Sequence, residues 1–183
     1  MRNLVWKYKL SNHLEIKDQL LQIINNIPYE RVESEESGFC DRVSKTDYYL
    51  KMEDRTLDYY QLLRRNLTEF FNFICSYYCL SKFEVTSYWF QQYCKDNIHH
   101  WHIHPDTSVA MVYFLELSNP NNSTEFYDVI NKKIFKHNVQ EGDIIVFPAI
   151  IPHRSPLITT NSKKTIISCN INFVDVDPKK IKL

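Results

Sequence analysis

The sequence predicts a mostly β domain, an antiparallel sandwich or barrel with N-terminal helices packed against one sheet. Three observations predict it. From Phe83 onward the chain runs in short β-branched and aromatic stretches, at 85–93, 108–117, 125–129, 133–138, 143–147 and 164–173, separated by turn residues. No helical period intervenes, so neighbouring strands are joined by turns and pair antiparallel. The first eighty residues instead carry the apolar repeat of amphipathic helices. With 183 residues the chain is one domain able to bury a core. It divides into helical support (1–82), β core (83–174) and a solvated tail (175–183).

Each element follows from local chemistry. Leu4, Trp6 and Tyr8 alternate as in a short strand. Residues 14–26 have a helical pattern that Pro28 stops, because proline lacks the N–H a further turn needs. Residues 30–49 are polar, hold Gly38 and show no period; they read as loop with one strand. Residues 57–80 give the clearest helix, with Leu57, Tyr60, Leu63, Leu67, Phe70, Ile74 and Tyr78 in one stripe and Asp58, Arg65, Glu69, Asn72 and Ser76 opposite. That aromatic stripe reads as core packing rather than a ligand box. Pro120-Asn121-Asn122, Asn131-Lys132 and Glu141-Gly142-Asp143 supply turns between the strands. Gly38 and Gly142 are the only glycines, so each is expected where the backbone tolerates little else.

Composition excludes several classes. Net charge is zero and 24% of residues are charged, which argues against disorder and against the basic footprint of a nucleic-acid binder. Five cysteines without paired spacing, apart from Cys75 and Cys79 on a helix, suit reduced thiols in a cytoplasm. No signal segment opens the chain, and no apolar run has the length of a membrane span. The acceptor-like Asn66-Leu67-Thr68 and Asn121-Asn122-Ser123 are then idle. The Asn-, Lys- and Ile-rich composition suits an AT-rich genome such as that of a phage.

The chemistry concentrates in the histidines. Four of seven fall within His99-His100-Trp101-His102-Ile103-His104, and His153 follows in the frame Gly142-Asp143…Phe147-Pro148…Pro152-His153. Imidazole is a common ligand for iron, zinc and nickel, and histidines at i and i+2 of a strand project to one face. An early pair and a late single histidine on separate strands can meet at the mouth of a barrel. The plainer reading is an exposed loop with incidental histidines; the matching late histidine favours a metal site.

The stretch from Tyr93 through His102-Ile103-His104-Pro105 to Val112-Tyr113-Phe114-Leu115 resembles the core of the Fe(II)/2-oxoglutarate-dependent oxygenases, in particular those of tailed phages and marine bacteria. The later parts are Phe147-Pro148…Pro152-His153 and Lys164…Ser168-Cys169-Asn170. The match covers about half the chain, from Val85 to Phe173, with short and loosely spaced motifs. The resemblance implies a double-stranded β-helix, or jelly-roll, with iron on a face of three protein ligands and vacant positions for 2-oxoglutarate and dioxygen. The implied reaction decarboxylates 2-oxoglutarate to succinate and CO2 and hydroxylates a C–H bond.

His102 and His153 carry over as metal ligands. For the other ligand there are two registers: His102-Ile103-His104 gives a three-histidine face, while His104-Pro105-Asp106 matches the His-x-Asp of most relatives. The first is preferred for its closer alignment; a third arrangement uses His102 and Asp106 with His104 beside them. The resemblance assigns 2-oxoglutarate's distal carboxylate to Lys164, eleven residues after His153, or to the neighbouring Lys163. Alternation lets only one point inward, and Lys164 is the choice. Tyr113 is a candidate donor to the same carboxylate, or else an ordinary barrel aromatic. Asp96 stands where relatives have glycine, so a wider turn is expected there. A cupin-type metal protein that does not use 2-oxoglutarate is the alternative, although its first motif wants a glutamate that residues 106–111 lack. The substrate, a small molecule or a protein side chain, would be selected by the loops at 30–49 and 120–123.

Overall fold

Strand 143–148 is apolar at nearly every position, the pattern of a strand covered on both faces, and in the structure it is. The structure, a computed structural model, describes residues 2–28, 32–34 and 41–181. Its strands are β1 (Trp6–Lys9), β2 (Val32–Ser34), β3 (Asp41–Val43), β4 (Lys45–Thr46), β5 (Leu80–Tyr93), β6 (His99–His102), β7 (Val109–Leu117), β8 (Glu125–Asp128), β9 (Lys133–Lys136), β10 (Asp143–Pro148), β11 (His153–Ser155) and β12 (Lys164–Val176). Six form one sheet in the order β1-β10-β7-β12-β5-β4, and four form a second, β6-β11-β8-β9; β2 pairs with β3. Named pairings are antiparallel throughout.

Alternation divides the large sheet's side chains between two cores. Met111, Tyr113, Leu115, Ile144 and Val146 face the helices. Ala110, Val112, Phe114, Ile145 and Phe147 face the small sheet, where they meet Phe126 and Ile158. The result is a helix–sheet–sheet stack with the strand arrangement of a jelly-roll. Among the described residues the sheets remain two hydrogen-bonded layers and do not close into one cylinder.

Helix α1 (His13–Asn26) buries His13, Ile16, Leu20 and Ile24. The single helix expected over 57–80 is instead α2 (Asp58–Arg65) and α3 (Thr68–Tyr77). At the break the Asn66 side chain donates to the carbonyl of Leu62, 2.8 Å away, competing for a group within the helix. Leu67 stays fully buried across the break, so the apolar stripe continues and periodicity alone cannot reveal it. Cys79 then turns the chain at φ 55°, and β5 starts five residues before the expected 85.

Two turns bear on the site. Asp96 adopts φ 67° and Asn97 N–H donates to Cys94 O at 3.1 Å, so the turn is tight rather than widened; aspartate tolerates the left-handed backbone that glycine would favour. Gly142 has φ 84°, and a Cβ there would lie 2.8 Å from the His13 ring. Gly38, Cys40 and part of the expected loop 30–49 lie outside the described residues, and its described parts contain β2, β3 and β4. The tail continues β12 to Val176 and stays largely exposed. No helix of the described residues is long and apolar enough to cross a membrane.

Candidate metal centre

The histidine cluster forms β6, and β6 is irregular. His102 lies opposite His153 of β11, while His99 lies opposite Ser155. Three steps on β6 therefore match two on β11, a bulge. In a regular strand His99 and His102 would point to opposite faces; the extra residue turns both into one cavity. His104, just past the strand, is fixed by its N–H to Ala149 O at 3.0 Å.

The structure brings His102, His104 and His153 together, with ligand nitrogens all within 4.8 Å of one another. Each ring has its Nδ1 occupied: His102 against His100 O at 2.7 Å, His153 against Ile151 O at 2.9 Å, His104 against Asn170 Oδ1 at 2.6 Å. A carbonyl oxygen only accepts, so each Nδ1 carries the hydrogen and each Nε2 keeps its lone pair. Burial, opposed by the His100 carbonyl and aided by His104, lowers the pKa of His102 to about 4; burial and then the neighbouring imidazoles lower that of His153 well below the usual range, and burial lowers His104 as well. Neutral imidazoles with free Nε2 lone pairs are what a cation requires, and without one the lone pairs repel. The donor set therefore fits a metal ion.

Lys164 lines the same cavity. It is 0% exposed, donates to Ser155 Oγ at 2.9 Å and sits 4.9 Å from the centroid of Tyr93, its cross-strand neighbour. Among the described residues no carboxylate forms an ion pair with it. Burial pushes its pKa down to about 7; Lys136 adds to this and Glu125 opposes it. Lys163, one residue earlier, is exposed.

The other expected residues lie elsewhere. Asp106 is exposed on the rim of an outer groove and is not part of the three-histidine group; its backbone carbonyl accepts from Asn172 at 3.3 Å. Tyr113 points away from the cavity. It sits on the helix-facing side of β7, its hydroxyl paired with His13 Nδ1 at 2.6 Å, so it is the barrel aromatic and not the carboxylate donor.

Sequence reasoning missed three contributors. His99 stacks on His102 at 4.1 Å, with Nε2 3.5 Å from Asp41 and Nδ1 3.4 Å from Gln91. Its role depends on the bulge, which leaves no sequence mark. Asn170, quoted only as part of a motif, accepts from His104, and Ser155 meets Lys164. Outside the histidines, Asp41, Tyr48 and Tyr49 of the 30–49 segment line the outer groove, whereas residues 120–123 do not.

No family model matches the chain, and no curated protein matches it. Solved structures do. A 2OG-Fe(II) oxygenase family oxidoreductase from Burkholderia pseudomallei superposes with TM-score 0.70 at 12% identity, over 95% of this chain and 87% of that one. The viral collagen prolyl hydroxylase of Paramecium Bursaria Chlorella virus-1, a complex with 2OG, gives 0.57 at 15% identity over 93% and 97%. HygX from Streptomyces hygroscopicus, with nickel and 2-oxoglutarate bound, gives 0.63 at 9% identity over 92% and 82%. At such identities the likeness establishes a shared fold.

Proposed function

We propose that this chain, which has the fold of the 2-oxoglutarate–Fe(II) oxygenases, is itself an oxidoreductase of that kind. It would hydroxylate a C–H bond and release succinate and CO2. One observation carries the reading: three imidazoles whose ligand nitrogens lie within 4.8 Å of one another share a cavity with a fully buried lysine that no carboxylate among the described residues pairs with. His102, His104 and His153 would hold Fe(II). When bound, the ion supplies a Lewis-acidic redox centre with positions left for cosubstrate and dioxygen.

The chain's own residues do the rest. His100 O, Ile151 O and Asn170 Oδ1 set the tautomer and aim of the imidazoles. Lys164, steadied by Ser155, would pair with the distal carboxylate of 2-oxoglutarate as a point charge. Apolar Val112 and Ile166 line the cavity and limit water there. His99, braced by Asp41 and Gln91, would keep the His102 ring from tilting. The outer groove is the approach for substrate.

The test is anaerobic loading with Fe(II) followed by 2-oxoglutarate. The expected results are a visible charge-transfer band and, on admitting air, succinate that His153→Ala abolishes. A three-histidine set without a carboxylate also suits a cupin-type metal protein, which would bind the metal but give neither band nor succinate. Turnover retained in His153→Ala would refute the ligand assignment.

A further inference from the structure

Beyond the three imidazoles the site opens into a groove whose lining includes Asp41, Tyr48, Tyr49, Trp89 and Asp106. Among its described lining are two carboxylates and three large aromatic rings but no lysine or arginine, although the chain has 22 basic and 22 acidic residues. Tyr48 and Tyr49 are 47% and 55% exposed, with rings 5.3 Å apart at 85°. Tyr48 also meets Trp89 edge to face at 5.2 Å. Exposed aromatic faces beside carboxylates attract a cation and offer nothing to an anion.

We infer that the groove takes a substrate bearing an ammonium or guanidinium group, as in a basic amino acid, free or within a peptide. This names a substrate class for the site proposed above and rests on that reading only for what happens after binding. The cation sits among the tyrosines and carboxylates, away from the positive metal. Carboxylates that merely offset the charge of the ion would not select among ligands.

Calorimetric titration of the purified full chain tests the inference with four probes: L-lysine, Ala-Lys-Ala, Ala-norleucine-Ala and Ala-Glu-Ala. The lysine tripeptide is expected to bind about tenfold tighter than the norleucine one, more weakly as salt rises. The stronger of L-lysine and Ala-Lys-Ala identifies the source of the cation. Tyr49→Leu and Asp41→Asn should each weaken lysine binding about 3- to 10-fold and leave norleucine unchanged. Asp41 also accepts from His100 N–H, so the exposed Tyr49 decides the matter if the Asp41 variant does not fold. Equal binding of the norleucine or glutamate peptide overturns the inference, as does no binding up to about 10 mM, weaker than ordinary specific affinities. A parallel 2-oxoglutarate titration of the chain loaded anaerobically with Fe(II) separates the two readings. Lysine preference without 2-oxoglutarate binding sinks only the oxygenase proposal; 2-oxoglutarate binding without lysine preference sinks only this one.

Discussion

Raising the pH is expected to weaken 2-oxoglutarate binding about tenfold per unit above about pH 7, and to do so through Lys164. Burial pushes that ammonium down to about 7 in the ligand-free protein. In the complex the distal carboxylate would face the ammonium and hold its proton to higher pH. Binding above pH 7 then takes up a proton, at a cost of about 1.4 kcal/mol per unit. At about pH 9 the loss reaches roughly 100-fold, and below pH 7 this group adds no slope. Calorimetry in buffers of different ionisation enthalpy counts the proton directly. The reasoning is refuted by an affinity that stays flat across the range, or by Lys164→Met keeping the same slope.

The stability of the ligand-free protein moves the other way. Between about pH 7 and about 10.4 the unfolded chain still holds the Lys164 proton and the folded chain does not. The unfolded state binds more protons there, so raising the pH favours folding through this group by up to about 1.4 kcal/mol per unit. Lys164→Met, which removes the buried ammonium, should accordingly raise the unfolding free energy near neutrality by about 1–3 kcal/mol. It should also lose cosubstrate.

Three further outcomes are expected. Asn170→Leu takes away the acceptor of His104 and should lower metal affinity about 10- to 100-fold in chelator competition, while Asn170→Asp keeps it; equal affinities would show that Asn170 does not steer the ring. Gly142→Ala combines φ 84° with a contact 2.8 Å from a histidine ring that Tyr113 holds in place, and should cost about 2–4 kcal/mol in urea denaturation. A loss below about 0.5 kcal/mol would mean that the ring gives way. Tyr113→Phe should cost about 1 kcal/mol of stability and leave 2-oxoglutarate affinity unchanged; a tenfold fall in that affinity would return Tyr113 to the cosubstrate site.

The long apolar runs were legible because their signal repeats. Strands 109–117 and 143–148 fall within a residue of expectation, and so does α1. The break between α2 and α3 was hidden because Leu67 preserves the stripe through it. Strands β6 and β11 are three or four residues long and rich in histidine, too short and too polar for alternation to show. The convergence of 102, 104 and 153 was anticipated from the early pair, the late histidine and the resemblance, and alternation along β12 leaves Lys164 buried and Lys163 exposed. The same alternation could have warned against Tyr113: β12 reaches the cavity through Lys164, Ile166 and Ser168, and Ser168 pairs with Val112, not Tyr113. Asp106 failed for a different reason. Pro105 and Asp106 themselves form the turn beyond β6, and the carboxylate is carried to the rim.

The separation of the sheets has a mechanical consequence. His102 and His153 belong to the small sheet, whereas Lys164 and Asn170 stand on β12 of the large one. A diacid anchored at one end by the ion and at the other by Lys164 would act as a clasp across the two layers. Cosubstrate at about a hundred times its dissociation constant would add about 2.7 kcal/mol against their parting. Amide exchange in β6 and β11 should slow most when the clasp closes, so the strands that would carry the ion are also those that cosubstrate scarcity would loosen first.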